Sequence, residues 1–509
     1  MALQSSALAT ARVAPSEFVL PGRRESARIY PLAKRRPNVL FVTSEISDFI
    51  QAGGLGAVSA SLPRALGPAC DARVVVPGFA EVLAKAPAIE IVAHLPGAGA
   101  IPPCSVGICT QPDGLIIYIV LCAELYEREG TPYLDAHGRE HLDNDIRFAR
   151  LSLAAAQLAE HGAAGWRPDV LHLNDWPAAL TAGYMHWRGI DTPTVLTIHN
   201  LAHQGLFDAS RLATLAIPER AFSLQGVEFF GKISFLKAGL NHASHVTTVS
   251  QSYAEEITHA ELGCGLDGLL RQRAWEGRLT GIVNGIDKAW DPKADKRCPY
   301  LFDPQRWKGR YADYVRGAFG LSLAKAPLFS FIARLVHQKG VDLVIKTAGL
   351  IAARGGQLVV VGTGDATAER ALVALAKRHP DALAVRVGFD QEEARAVFAG
   401  SDFLLMPSRF EPCGLSQMYA QRFGAIPIAH RTGGLAETIH HGKTGLLFER
   451  ADIASLNAAV SQAFDLYQNA KEFSTMRRAA MALNFDWSES AARYVSLYRD
   501  LELRRVAAL

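Results

Sequence analysis

Short runs rich in Val, Ile, Leu and Thr alternate along most of this chain with longer Ala/Leu-rich stretches whose apolar residues recur at helical spacing. A strand covered on both faces needs an unbroken apolar run, and parallel strands need a crossover helix between them. In the first half the runs predict strands at Asn38–Ser44, Arg73–Val76, Ile116–Leu121, Val170–Leu173, Thr194–Ile198 and Val246–Val249. A loop-rich region with Asp291, Pro292, Pro299 and Trp307 follows. A second series then runs Leu328–Ala333, Gln357–Val361, Ala384–Val387, Phe403–Met406, Ile426–Ala429 and Gly445–Phe448. Amphipathic stretches at Ala57–Leu66 and Val341–Ala353 supply the helical period between strands. The pattern therefore predicts an α/β protein of two Rossmann-like domains in tandem.

The polar residues punctuate this pattern at one kind of place. In open parallel sheets a ligand sits beyond the carboxyl ends of strands, where loops lead into helix N-termini. Gln51, Gly53 and Gly54 follow the first expected strand; the glycines form either a phosphate cradle or a plain tight turn. They do not make the dinucleotide motif GxGxxG, which disfavours a dehydrogenase. Asp175 follows the fourth strand, and His199 and Asn200 follow the fifth. In the second half Arg334 and Lys339 lie just past a strand, either as solvated loop charges or as the cations that a departing diphosphate needs. Glu411, Cys413, Gly414 and Leu415 lead into a helix running through Arg422. There Glu411 either complements the helix dipole or holds sugar hydroxyls. Thr432 and Gly433 repeat the strand–turn–helix format, as a second phosphate cradle or a bland turn. Two such sets of loops facing each other would line one interdomain cleft.

Composition narrows the class of protein. The 509 residues are 49% apolar and 20% charged, and suit two domains rather than one. The formal net charge is +3; residues 1–36 alone carry +5, which leaves the remainder near −2 and no basic groove for nucleic acid. Seven scattered cysteines without CxxC spacing fit a reducing cytoplasm rather than a disulfide framework or a zinc site. No apolar run approaches the ~20 residues of a membrane helix. The Ser/Ala/Arg-biased segment 1–36 is expected to be a disordered extension, with an organelle transit peptide as the alternative. No HExxH or similar ligand set appears, so no catalytic metal is expected.

Taken in order, the motifs resemble the glycogen/starch synthase family. The resemblance rests on Ser44, Glu45 and Gly53-Gly54-Leu55, on His172 to Trp176, and on Thr197 to Gly205 with His199, Asn200 and Gln204. It continues through Gly281 to Asp287, Arg334 with Gln338-Lys339-Gly340, Glu411 to Leu415, and Arg431 to Leu435. It covers roughly residues 38–500 and implies a GT-B fold, with a final helix crossing back onto the first domain. The domain limits it implies are 37–283, 284–487 and 488–509. The implied activity is retaining transfer of glucose from ADP-glucose to the non-reducing end of an α-1,4-glucan such as glycogen, without a cofactor. By the same resemblance Arg334 and Lys339 should bind the donor diphosphate. Glu411 should hold the transferred glucose, and backbone N–H groups near Cys413, Gly414 and Leu415 should fix sugar and phosphate. His199 should lie beside the reacting sugar, with Asp175 and Asn200 shaping the pocket, and Glu45 and the Gly53-Gly54 loop should serve its sugar and phosphate side.

Two positions depart from the family pattern. A lysine that usually reaches the donor phosphates is Gln51 here, and an aspartate after the second glycine is Ala57. The expectation is an active enzyme with weaker or differently compensated donor binding. Two other readings share this architecture: a phosphorylase, or a transferase building sucrose or trehalose derivatives. A glucan- or nucleotide-sugar-binding protein without catalysis is the non-enzyme alternative.

Overall fold

The computed structural model describes residues 36–292 and 304–508. All but the last residue of the expected 1–36 extension, and Pro299, lie outside them. Strands β1 (Asn38–Val42), β2 (Asp71–Pro77), β3 (Glu90–Leu95), β4 (Cys104–Thr110), β5 (Ile116–Leu121), β6 (Val170–Asn174) and β7 (Thr194–Ile198) come first. A small antiparallel ribbon of β8 (Leu206–Asp208), β9 (Glu228–Phe229) and β10 (Lys232–Ser234) follows, and then β11 (His245–Thr248) and β12 (Leu279–Gly281). The large sheet has the order β12-β11-β7-β6-β1-β2-β5-β4-β3. It is parallel from β12 to β5 and closes with the antiparallel β5-β4-β3 edge. The parallel strands β1, β6 and β7 are almost wholly buried, which is why their apolar runs are unbroken. β3 escaped the sequence pattern because it is an edge strand with exposed Glu90, Ile91 and His94.

The second domain holds β13 (Leu328–Ile332), β14 (Gln357–Gly362), β15 (Leu383–Val387), β16 (Phe403–Met406), β17 (Ile426–His430) and β18 (Leu446–Phe448). They are all parallel, in the order β15-β14-β13-β16-β17-β18. This is the doubly wound Rossmann order, in which the chain reverses direction between its first and fourth strands. One expectation is corrected here. Trp307, assigned to a loop-rich region, lies on the helix Pro304–Phe319 and is 1% exposed. That helix packs so closely on Gln391–Gly400 that a Cβ on Gly400 would fall 2.7 Å from the carbonyl of Tyr311. The prolines ahead of Trp307 hid the helical period in the sequence.

The last helix, Ser488–Ala508, leaves the second domain and completes the core of the first. Ala491, Tyr494, Val495, Tyr498 and Leu501 pack into that core. The Tyr498 hydroxyl is 2.7 Å from His172 Nδ1 on β6, and Arg493 donates to the carbonyl of Gly281. The outgoing and returning chains run side by side where they cross between domains. The Ile286 amide donates to the Phe485 carbonyl, and Gly285 leaves no room for a Cβ against the Trp487 backbone. Among the described residues no helix is long and apolar enough to cross a membrane.

Candidate active site

Beyond the carboxyl ends of β13 and β16, where the second sheet reverses, two loops are stapled together. Arg409 forks onto both oxygens of Asp342 at 2.8 and 2.9 Å and donates to the His337 carbonyl. Gly340, at φ +71°, lies so close to Pro407 that a Cβ would meet its carbonyl oxygen at 2.2 Å. The staple brings Lys339 Nζ to 2.7 and 2.6 Å from the two oxygens of Glu411, which is 4% exposed. Ser408 Oγ donates to the same carboxylate at 2.9 Å. Arg334 stands exposed at the end of β13, with no carboxylate paired to it among the described residues. Cys413 is buried and its thiol is pushed up to about 12 by burial, so it is inert as a nucleophile. Gly414, at φ +71°, turns the chain so that the helix Ser416–Arg422 starts directly after Leu415.

The first domain offers the matching reversal between β1 and β6. Glu45 follows β1 and is buried; its Oε2 accepts the backbone N–H groups of Ala52 and Gly53 at 2.6 and 3.1 Å. Burial raises its pKa and those N–H groups pull it back. Part of the expected glycine cradle is therefore filled by a carboxylate of the chain itself. Gln51 is exposed and folds back on the same loop, its Nε2 donating to the Gly53 carbonyl at 3.0 Å. Asp175, directly after β6, sits at φ +55° and accepts the N–H groups of His199 and Asn200 at 2.7 and 3.3 Å. Its pKa is pushed up to about 7 by burial, against the pull of those two donors. His199, after β7, is pushed down to about 3 by burial and is neutral. Its Nε2 faces Asn174 Oδ1 at 3.0 Å, an arrangement that puts the proton on Nε2 and leaves Nδ1 as an acceptor. The Asn200 side chain accepts from the Ala202 N–H and fixes the turn after His199.

The two halves meet. A Cβ on Gly54 would lie 3.9 Å from Leu415 across the cleft, and the pKa of His203 is lowered first by desolvation and then by the charge of Arg334. Ser250 Oγ donates to the Pro412 carbonyl at 2.6 Å. Thr432 and Gly433 take a different place from the expected second phosphate cradle. Thr432 Oγ1 and the Gly433 N–H both donate to Glu256 Oε1, at 3.0 and 2.8 Å. Glu437 reciprocates by accepting the Ser252 N–H. The short helices Gln251–Glu256 and Gly433–Thr438 thus cap each other across the domain boundary. The donors of Thr432 and Gly433 are committed to that contact because the first domain supplies a carboxylate at the same spot.

Three contributors carried no sequence signal. The Tyr133 hydroxyl lies 2.8 Å from Ser44 Oγ and 3.1 Å from Glu45 Oε1, with its ring tilted against Trp176 and Phe148. Tyr133 stands in an irregular segment without periodicity. Glu256 closes a helix as any surface acid might. Ser408 is one of many serines, and its partner becomes visible once β13 and β16 are paired.

Two facing Rossmann-like domains, with Arg334, Lys339 and Glu411 on one side of the cleft and Glu45, Asp175, His199 and Asn200 on the other, have the arrangement of a glycosyltransferase of the GT-B type. Residues 38–272 match the family described as starch synthase catalytic domain, and residues 320–479 match glycosyl transferases group 1. The chain is 50% identical over 488 residues to a glycogen synthase of Pseudomonas putida, covering 95% of this chain and 94% of that one. It is 51% identical over 459 residues to glycogen synthase 1 of Bradyrhizobium diazoefficiens, covering 90% and 99%. Among solved structures it is similar to the catalytic domain of starch synthase IV from Arabidopsis thaliana bound to ADP and acarbose. That similarity has a TM-score of 0.83 and 27% identity over 92% of this chain and 100% of that one. A sucrose-phosphate synthase from Thermosynechococcus elongatus, at 19% identity and a TM-score of 0.55, shares the fold alone. The chain belongs to the glycogen/starch synthase family.

Proposed function

We propose that this protein moves glucose from ADP-glucose to the 4-hydroxyl at the non-reducing end of an α-1,4-glucan, with retention of configuration. The observation that carries the proposal is the Lys339–Glu411 contact at the sheet reversal, with Arg334, which has no carboxylate partner among the described residues, at the end of the strand before it. Negative charge grows on a diphosphate as its bond to the sugar breaks, and preorganised cations stabilise that charge without reorganising. Arg334 and Lys339 take this role, and backbone N–H groups near Cys413, Gly414 and Leu415 assist them. Glu411, oriented by Lys339 and Ser408, accepts hydroxyls of the transferred glucose. His199 presents a neutral ring to the same sugar, while Asp175 and Asn200 hold its loop. Glu45, steadied by Tyr133, fixes the glycine loop that covers the donor. The departing phosphate accepts the proton of the acceptor hydroxyl on the same face of the sugar, which retains configuration; closure excludes water from this step. Family membership and the ADP bound to the similar starch synthase support ADP-glucose as donor.

The test is incorporation of glucose into glycogen from ADP-glucose, with UDP-glucose in parallel and Glu411→Ala as control. Transfer from ADP-glucose is expected, falling about a hundredfold or more in the variant. A folded protein that transfers from neither donor would overturn the proposal.

A further inference from the structure

The β9–β10 hairpin has a turn of two residues, Phe230 and Gly231, between the paired Phe229 and Lys232. Both turn residues have positive φ, at +49° and +76°. That is the geometry of a type I′ turn, for which Asn-Gly is the favoured pair. A bulky aromatic residue is strained there, and strain of this kind persists where a function retains it. Phe230 does not offset the strain by burial, since it is 83% exposed. It is nevertheless held in place. Its ring meets Phe229 edge-to-face at 4.8 Å, and Phe229 packs on the domain core. Both rings abut Gly265, where a Cβ would come within 3.1 Å of each. Glu228 Oε1 accepts the Gly231 N–H at 2.8 Å, which fixes the turn itself.

The hairpin is tied to the candidate active site. Cys264, next to Gly265, gives its carbonyl to Gln204 Nε2 at 2.9 Å. Gln204 ends the loop that begins at His199, and β8 follows directly and pairs with β10. A rigid, solvent-facing aromatic ring therefore stands at the end of the loop that lines the first-domain side of the cleft. We infer that Phe230 is a stacking platform for the acceptor glucan, receiving the C–H face of a glucose unit further along the chain whose non-reducing end reacts in the cleft. This inference rests on the function proposed above. Pyranose rings present apolar C–H faces with hydroxyls at the rim, and an exposed ring on a ribbon whose paired Asp208 and Lys232 are also exposed matches that alternation.

Phe230→Asn separates this role from folding, because Asn suits the turn and removes the ring. Three measurements are compared for wild type, Phe230→Asn and Phe230→Trp: thermal midpoint, affinity electrophoresis in glycogen-containing gels, and the KM and kcat for glycogen. The expected result is a Phe230→Asn protein no less stable than wild type, with glycogen affinity weakened about tenfold. The loss should appear in KM for glycogen rather than in kcat, and Phe230→Trp should restore it. Wild-type affinity for glycogen in a stable Phe230→Asn protein would overturn the inference. Loss of self-association in that variant, with glycogen affinity unchanged, would overturn it equally and assign the ring to a second copy of the chain. If wild type transfers no glucose, the proposed function fails by itself, while the electrophoresis still tests the platform.

Discussion

At the scale of single residues, the donor side turns on a missing charge. Gln51 stands where the family pattern has a lysine, and its amide is spent on the Gly53 carbonyl of its own loop. Two cations bonded around this loop are already committed: Lys85 Nζ to the Phe49 carbonyl, and Arg64, on the helix after the loop, to Asp48 and Asp113. The cationic work on the diphosphate therefore falls on Arg334 and Lys339, and Lys339 is shared with Glu411. Gln51→Lys should then tighten donor binding. A charge-assisted hydrogen bond contributes about 1.5–3 kcal/mol, so a fall of about tenfold in KM for ADP-glucose is expected from initial-rate measurements. An unchanged or higher KM would mean that the present cations already saturate the phosphates.

Among elements, the C-terminal helix carries the clearest energetic consequence. His172 is fully buried on β6, bonded through Nδ1 to Tyr498 and through Nε2 to Thr197 Oγ1 at 2.6 Å. Burial pushes it down to about 3, so it is a neutral ring needing both partners. Tyr498→Phe leaves one ring nitrogen without a partner in a dry site, which costs about 1–3 kcal/mol. Urea titration should show that loss as a lower midpoint with unchanged slope; a variant as stable as wild type would mean that apolar packing alone seats the helix. The elements also differ in how far the sequence announced them. Strands buried on both faces wrote themselves as unbroken apolar runs, and each of those foreseen appears with its ends moved by no more than two residues. Strands β3, β4 and β12 and the ribbon β8–β10 did not: exposed positions interrupt the apolar pattern of β3 and the ribbon, Ser105 and Gly107 interrupt that of β4, and β12 is only three residues long. Lys339, Glu411, Asp175 and His199 were legible because each follows a strand within a few residues. Tyr133 and Glu256 were not, since their partners lie 88 and 177 residues away and only folding brings them together.

For the whole molecule, the question is what holds the cleft closed around a substrate that both domains must touch. Two adjacent chain crossings, at Gly285–Ile286 and Phe485–Trp487, join the domains at one place, and the reciprocal caps of Glu256 and Glu437 join them at another. The caps bond no substrate-facing side chain, yet they sit beside the Pro412 contact and so bear on the loop carrying Glu411. The Gly434 N–H donates to the Glu411 carbonyl, and a Cβ on Gly433 would meet that same oxygen at 2.0 Å. Breaking the clasp should thus favour an open form, in which donor is bound by one domain alone and apparent affinity falls with the closed fraction. Replacing both Glu256 and Glu437 by Ala removes three charge-assisted hydrogen bonds. Donor KM is then expected to rise about tenfold, with a larger radius of gyration in small-angle scattering and a smaller change in kcat. Donor at high concentration should return the radius of gyration towards the wild-type value, because binding across the cleft supplies the closure that the caps no longer do. A double variant with wild-type KM and wild-type dimensions would show that the paired crossings alone set the relation of the two domains.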